Sequence, residues 1–490
     1  MTHDDYLTAI RQARDAYTST LGRDVDDSGL AESLRLQLDE GYTPDQLIAW
    51  LERSEEYQSQ QPPPPVDPPL HPAPPLPPIQ GQLGVDGKGF QDDTGYRVPL
   101  FCHAGDLILL FVEGRLRGDT EIEHRVHAAF ADLQAYGYSG LRSWWSIRWV
   151  GQEHRYWGNR RLNPSDDAHR RLIHECFRIG SEDYGLKWHT ALGSAENVPV
   201  SEMDDAWHWM RDVVAGHPEW FALVEGLNEA YHTGESDPDE VARWVNKSRT
   251  RNPTVLHALS AAAGAAGSEE LHELEKWTPD WQQFYMVHAN RANQWGDQTR
   301  HAFSIGYDHP PRRLGWSGEP PGIQWDEFTR VSGMNHPEQW TERPWRYALY
   351  LAQTAMSRQM PTYMCSHGVC LEGRFRDAPG FTLAPRLIAA LPPDVMTYDE
   401  IFHGGDTHKH RRVIEAPLHC RADHVKKSSG ECVITVYPER PEIADTNLHF
   451  DRDWKGRIHD SVGYTDCVVQ RGGTLRRDIS GGALFVGETL

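Results

Sequence analysis

Phe221-Ala222-Leu223-Val224-Glu225-Gly226-Leu227 runs into Asn228-Glu229, and Arg313-Leu314-Gly315-Trp316 runs into Ser317-Gly318-Glu319-Pro320. Each stretch reads as a short buried strand with a glutamate just past its end. A continuous apolar run of this length suits a parallel strand covered on both faces. Similar runs recur at 98–103, 141–147, 187–192, 254–260, 284–289 and 360–366. Amphipathic stretches lie between them, at 120–136, 166–180, 202–215, 238–249, 269–276, 297–303 and 343–358. Asp166, Ser201 and Asp237 stand where helix N-caps are wanted, and Pro238 suits a first helical turn. Eight strands alternating with helices over about 270 residues predict an α/β chain built as a (β/α)8 TIM barrel. A doubly wound open sheet competes, but no Gly-rich phosphate turn of the dinucleotide or P-loop type is present.

The barrel has neighbours on both sides. Between Pro62 and Pro78, 11 of 17 residues are proline, which forbids a helix or an inner strand there. An extended polyproline spacer roughly 50 Å long is expected, with a ligand for a proline-binding groove as the alternative. Before it, Leu7, Ile10, Tyr17, Leu30, Leu34, Leu47 and Leu51 fall near helical spacing, and Thr43-Pro44 forms an N-cap with proline at the first helical position. Phe90 to Tyr96 reads as a lead-in hairpin. From about His410 helical periodicity stops, and Val433–Tyr437, Leu448–Phe450, Cys467–Gln470 and Gly482–Val486 read as strands of an antiparallel β domain. The expected boundaries are 1–60 for a helical module, 61–79 for the spacer, 80–405 for the barrel and 406–490 for the β-rich part.

Composition removes several functions. With 49 Lys+Arg against 71 Asp+Glu, the net charge of −22 argues against a nucleic-acid binder, which needs a basic face. The helical module carries −8 of this charge, residues 79–405 carry −13, and residues 406–490 balance. No apolar run reaches the ~20 residues of a membrane span. The N-terminal residues lack the basic start and apolar core of a secretory signal, so synthesis without export is expected. Seven cysteines make no disulfide scaffold, although Cys365 and Cys370 are close enough in sequence to bridge. His403, Asp406, His408 and His410 cluster without a metal-binding spacing, and no metal or other cofactor is expected. No Gly-x-Ser-x-Gly elbow supports a serine hydrolase.

In a barrel, chemistry gathers at the carboxyl ends of the strands. Glu229 and Glu319 are 90 residues apart, three βα units of about thirty, so strands four and seven would set them across the mouth. A carboxyl pair in that position is what glycoside hydrolysis uses: one protonates the leaving oxygen, while the other attacks C1 or activates water. Trp144, Trp145, Trp149 and Trp157 cluster after strand two, and Trp295 follows strand six, where exposed indoles would stack on sugar rings. Helix tryptophans such as Trp207, Trp209 and Trp345 read as core. His103 and Asp106 follow strand one and are candidates for substrate contact.

Asn228-Glu229 at the end of strand four, with a glutamate ending strand seven, resembles the clan A glycoside hydrolases, the retaining (β/α)8 enzymes that include families 5 and 39. The likeness spans about residues 84–405 at the level of strand order and strand-end residues. It implies Glu229 as acid/base, Glu319 as nucleophile and Asn228 as the partner of the sugar 2-hydroxyl. It further implies that Arg142 keeps the nucleophile ionised, and that His189 and His288 orient the nucleophile or bind sugar. Met364-Cys365-Ser366-His367 departs from the tryptophan that often ends strand eight in the clan. Separately, Ala16-Tyr17, Leu21-Gly22-Arg23-Asp24 and Asp27-Ser28-Gly29-Leu30 resemble a short helical repeat, DUF4214, of bacterial surface and phage-associated proteins. That resemblance implies attachment or assembly. The expected whole is a retaining glycoside hydrolase for a polysaccharide or glycoconjugate, carried on a phage particle or cell surface and freed by lysis or a non-classical route. The alternative is a non-catalytic sugar-binding or structural protein on the same barrel.

Overall fold

The computed structural model describes residues 3–21, 27–38, 42–51, 76–147, 160–192, 203–227, 238–262, 278–288, 314–317, 344–364, 375, 380–402, 413–415, 420–438, 445–461, 463–478 and 482–490. The chain forms two compact units, Met1–His71 and Pro72–Leu490.

The first unit holds three helices, α1 (His3–Leu21), α2 (Asp27–Leu38) and α3 (Pro44–Leu51). Their shared core is Ala13, Ala16, Tyr17, Leu36, Leu47 and Leu51. Thr43 caps α3 as expected: its Oγ1 accepts from the Gln46 N–H at 3.3 Å, and the Gln46 side chain accepts from the Thr43 N–H at 2.9 Å. These reciprocal bonds satisfy donors that a helix start leaves bare. Of the Pro-rich spacer, residues 62–75 lie outside the described residues.

The second unit opens with three short antiparallel strands, β1 (Gly84–Val85), β2 (Phe90–Asp92) and β3 (Gly95–Arg97). There follow β4 (Phe101–His103), α4 (Leu107–Arg117), α5 (Thr120–Tyr136), β5 (Gly140–Ser146), α6 (Asp167–Arg178), β6 (Lys187–Leu192), α7 (Asp204–Gly216), β7 (Phe221–Leu227) and α8 (Pro238–Arg251). Then come β8 (Leu256–Ala258), β9 (Ser260–Ala262), β10 (Phe284–His288), β11 (Leu314–Ser317), α9 (Pro344–Met356), β12 (Gln359–Met360), β13 (Thr362–Met364) and α10 (Leu383–Ala390). All these strands pair in parallel, in the orders β13-β4-β5-β6-β7-β8 and β12-β11-β10-β9. Leu259 alone separates β8 from β9, and Pro361 alone separates β12 from β13. The arrangement is α/β and barrel-like. The helices expected at 269–276 and 297–303, and the caps Ser201 and Asp237, lie outside the described residues.

Asp166 caps α6 by accepting from the Ala168 and His169 amides. Helix α4 was not expected. Leu107 to Val112 are all buried, so the segment shows no polar face and carries no 3.6-residue period. None of the described helices is long and apolar enough to cross a membrane.

Past α10 come β14 (Glu400–Phe402), β15 (Ile414–Glu415), β16 (Cys420–Lys426), β17 (Glu431–Pro438), β18 (Asp445–Phe450), β19 (Trp454–His459), β20 (Tyr464–Val469), β21 (Thr474–Asp478) and β22 (Ala483–Thr489). A six-stranded antiparallel sheet, β14-β16-β17-β22-β19-β20, stands beside the three-stranded β15-β18-β21. Alternation along the strands divides the six-stranded sheet between two cores. Val425, Val433, Tyr437 and Leu484 join the main core, which also holds residues of α9 and α10. Ile434, Val436, Ile458 and Phe485 pack with Ile414, Leu448 and Phe450 of the smaller sheet. The Trp345 indole N–H also donates to the Gly482 carbonyl at 3.1 Å. The boundary expected between 405 and 406 lies outside the described residues. Cys420 and Cys467 are half-buried and Cys432 is buried; Cys365 and Cys370 lie outside the described residues.

On the outer side of β8, His257 is buried beneath α8. Its Nδ1–H donates to the Val255 carbonyl at 2.8 Å, and its Nε2 accepts from the Ser248 hydroxyl at 3.0 Å. Both ring nitrogens are satisfied only in the neutral form. Burial, aided by the Arg249 charge, pushes this imidazole down to about 4, against the hydrogen bond to Val255. The unfolded chain binds this proton near pH 6.5, so stability should be lost as pH falls from about 6.5 to 4. The full effect is about 3 kcal/mol. The gap between urea midpoints at pH 7 and pH 4.5 should narrow when His257→Gln replaces the imidazole, the remainder including buried His459, which burial also holds down to about 4. Equal pH dependence in the variant would refute this assignment.

Candidate functional site

Parallel register aligns three polar residues inside the barrel-like sheet. His103 on β4 stands opposite Arg142 on β5, and Arg142 stands opposite His189 on β6. Glu225 on β7 pairs in register with Ala191, two positions beyond His189. The Arg142 guanidinium grips the Glu225 carboxylate with two parallel bonds, Nε to Oε2 at 2.9 Å and Nη2 to Oε1 at 3.0 Å. His189 Nε2 bonds Glu225 Oε2 at 2.9 Å, and Arg142 Nη1 bonds His103 Nδ1 at 3.1 Å. Arg142, His189 and Glu225 are fully buried, and His103 is 1% exposed.

These bonds settle proton positions. A guanidinium can only donate, so His103 accepts through Nδ1 and carries its proton on Nε2. Carboxylate oxygens accept, so His189 donates through Nε2–H to Glu225. A buried charge survives only when paired and hydrogen-bonded, and the fork meets both conditions. Glycine at 140 lets the strands approach: a Cβ there would fall 2.0 Å from the Lys187 carbonyl oxygen and 2.6 Å from the Phe101 ring.

One side of the polar layer is an aromatic floor. Trp316 on β11 meets His189 edge-on at 5.2 Å, and its ring lies within 5.3–5.7 Å of Phe101, Phe90 and Phe284. Phe101 and Phe284 begin their strands, so the β2–β3 hairpin carrying Phe90 packs at the amino-terminal end. The strands continue from the polar layer toward their carboxyl ends, where Trp144 lies edge-on to His103 at 6.0 Å.

Of the residues singled out by sequence, Arg142, His189 and His103 converge, and Trp144 stands beside them. The expectation of a loop of exposed indoles needs correction for Trp144 and Trp145. Both lie within β5, at 6% and 0% exposure. Trp145 has opposite strand parity to Arg142 and packs edge-on to Trp207 of α7 at 5.7 Å. It is core, because outward residues of a covered strand meet helices rather than water. His288 ends β10, with only its backbone described. Asn228, Glu229, Trp295 and Glu319 lie outside the described residues, as do Trp149, Trp157 and the His403–His410 cluster. Leu227 and Ser317, the last described residues of β7 and β11, each precede a glutamate by two positions.

In the sequence Glu225 reads as one position of an apolar strand. The signal was present: a charge inside a seven-residue buried run demands a buried partner, and Leu141-Arg142-Ser143-Trp144-Trp145 poses the same demand.

No protein-family model and no curated protein matches the sequence. Among solved structures, the chain is similar to a family 39 glycoside hydrolase from the gut symbiont Bacteroides cellulosilyticus WH2, at 12% identity and a TM-score of 0.47, covering 84% of this chain and 83% of that one. It is also similar to SrfJ from Salmonella typhimurium, at 9% identity and a TM-score of 0.43, covering 79% and 88%. A third is a family 27 β-L-arabinopyranosidase from Geobacillus stearothermophilus, at 10% identity and a TM-score of 0.45, covering 80% and 96%. At these identities the likeness is one of fold alone.

Proposed function

We propose that residues 80–405 form a (β/α)8 barrel that acts as a retaining glycoside hydrolase, with Glu229 as acid/base and Glu319 as nucleophile. The observation that carries this reading is that β7 and β11, each paired in parallel with its neighbours, both end two residues before a glutamate. The buried polar layer of Arg142, Glu225, His189 and His103 supports it, since it brings charged groups into the interior on the approach to those strand ends.

In this mechanism the Glu319 carboxylate attacks C1 while Glu229 gives its proton to the departing glycosidic oxygen. Glu229 then takes a proton from water, which attacks C1 and breaks the ester bond to Glu319. Asn228 holds the sugar 2-hydroxyl, and His288 and Trp295 contact neighbouring parts of the glycan. The substrate is a polysaccharide or glycoconjugate of low negative charge, because residues 79–405 carry −13. Residues 1–60 serve attachment, and the whole acts as a depolymerase on a particle or cell surface.

The test is a panel of neutral and acidic glycans, with new reducing ends as readout. Wild type should cleave at least one with retained anomeric configuration, while Glu229→Gln and Glu319→Gln lose that activity. Binding without cleavage by wild type would instead make the protein a non-catalytic sugar binder.

A further inference from the structure

We propose that β20 is the strand through which two copies of this chain pair edge to edge, about a two-fold axis at Asp466. The inference is independent of the glycosidase reading. Strand β20 ends the six-stranded sheet, and among the described residues it pairs with β19 alone. Exposed edges are usually guarded by proline, lysine, a bulge or brevity. The six residues Tyr464-Thr465-Asp466-Cys467-Val468-Val469 include neither proline nor lysine, and their register with β19 runs without a bulge. The opposite edge strand, β14, is three residues long. Tyr464 and Val468 are 59% and 65% exposed, although both are large and apolar.

Hydrogen-bond alternation shows which backbone groups this edge presents. In an antiparallel ladder, directly opposed residues alternate between bonded and non-bonded pairs. The Asp460 N–H donates to the Gly463 carbonyl at 3.0 Å, one step before the His459–Tyr464 pair. The bonded pairs of β19 and β20 are then Ile458–Thr465, Gly456–Cys467 and Trp454–Val469. On the other side of β19, the Leu490 N–H donates to the Asp453 carbonyl at 3.1 Å, one step beyond the Trp454–Thr489 pair. Odd-numbered residues of β19 therefore face β22 and even-numbered ones face β20, which is the same alternation. Tyr464, Asp466 and Val468 accordingly turn their N–H and C=O groups away from β19, toward the open edge.

Those three positions are symmetric about Asp466. A second β20, laid antiparallel with Asp466 opposite Asp466, sets each Tyr464 opposite Val468 of the other copy. All three pairs are then of the bonded kind, each exchanging two backbone bonds. A second copy has this symmetry by construction, which selects it over an unrelated strand. The side chains agree with the register. Opposed residues share a face, so each copy contributes an aromatic–β-branched pair of the sort that stabilises sheets. Arg457 backs the same face: its guanidinium carbon lies 4.9 Å from the centre of the Tyr464 ring, and its Nε–H donates to Asp466 Oδ1 at 3.1 Å. The axis sets two aspartates opposite one another, and the two Arg457 cations offset their repulsion. One strand edge is smaller than the roughly 1,200 Å² of a stable interface, so pairing is weak and depends on concentration.

The test is sedimentation equilibrium of the full chain from about 1 μM to about 1 mM, the range in which so small an interface associates. The wild-type mass should climb from one chain toward two. Asp466→Pro should hold it at one, with folding checked by near-UV circular dichroism. The amide of residue 466 gives no bond to β19, so proline is tolerated there while it removes the central donor and blocks the edge. Asp466→Asn removes the like charges across the axis and should tighten pairing about two- to fivefold. Amide exchange, read residue by residue, should slow with concentration at Tyr464, Asp466 and Val468. Thr465 and Cys467, whose amides already bond β19, should keep their rates. A chain that stays monomeric over the whole range overturns the proposal, as does a dimer undiminished in folded Asp466→Pro. Pairing that Asp466→Asn leaves unchanged or weakens, or exchange that slows without these three amides, overturns it as well.

Discussion

Arg142→Met is expected to lower the unfolding free energy by about 3–5 kcal/mol, because it leaves the Glu225 charge buried without its partner. Both side chains have no exposure, and the ion pair is 2.9 Å long. Neither group can reach water to recover its solvation. Glu225→Met should cost a similar amount by removing the two-bond fork that holds the guanidinium, and its loss is compounded by the bond from His189 that is then lost. The two costs should not add. When both residues become methionine neither charge of the pair remains, and the double variant is expected to recover most of the loss. Chemical unfolding followed by tryptophan fluorescence in the four proteins closes the cycle. A coupling below about 1 kcal/mol would mean that the layer is solvated in solution, contrary to its burial. The result also bears on why the pair exists, since a well-packed apolar replacement often matches a buried ion pair in stability. Its presence inside the sheet then points to a use at the strand ends.

How much of this was legible beforehand depends on the type of element. The strands expected at 141–147, 187–192 and 221–227 coincide almost residue for residue with β5, β6 and β7. Strands buried on both faces are continuous apolar runs, and those are visible in sequence. In the C-terminal region, Cys420–Lys426, Trp454–His459 and Thr474–Asp478 are strands that went unrecognised. Their sequences are rich in Arg, Lys, Asp and His, because sandwich strands show one face to solvent and alternate over only a few positions. The packing of this region is hidden in the sequence for a related reason. Local patterns cannot show that Val433 and Tyr437 face the core shared with α9 while Ile434 and Val436 face the smaller sheet.

The site divides in the same way. Arg142, His189 and His103 stand out as polar residues at strand positions and Glu225 as a charge inside an apolar run, but their pairing does not. Glu225 is linked to Arg142 across 83 residues of sequence, and only the parallel register of β5, β6 and β7 brings them together. The resemblance to clan A enzymes implies Arg142 as a partner of the nucleophile. In the described structure its bidentate partner is Glu225. The tryptophan surplus is redistributed too. Trp145, Trp188, Trp316 and Trp454 are among the largest fully buried side chains, so much of it builds core rather than sugar platforms.

Under the proposed mechanism, Glu319→Gln and Glu229→Gln should fail in different ways, and the difference assigns their roles. Glu319→Gln removes the nucleophile, so no covalent intermediate forms on any substrate. The expected loss is at least about 10⁴-fold whatever the leaving group. Glu229→Gln removes proton donation, which alone contributes about 10²–10⁴-fold. That loss should be large for an alkoxide leaving group such as another sugar, which needs the proton. It should shrink toward the lower bound for an aryl leaving group that departs as a stable anion. Small anions such as azide should then restore turnover of Glu229→Gln on the aryl glycoside by replacing the water that the missing base no longer activates. The product would be a glycosyl azide of retained configuration. The same anion added to Glu319→Gln would attack C1 directly and invert it. Steady-state rates on one sugar with sugar and aryl leaving groups, together with the anomeric configuration of the azide products, read out all four cases. Reversed behaviour of the two variants would exchange their roles. Equal sensitivity to the leaving group in both would place the acid and the nucleophile on other residues.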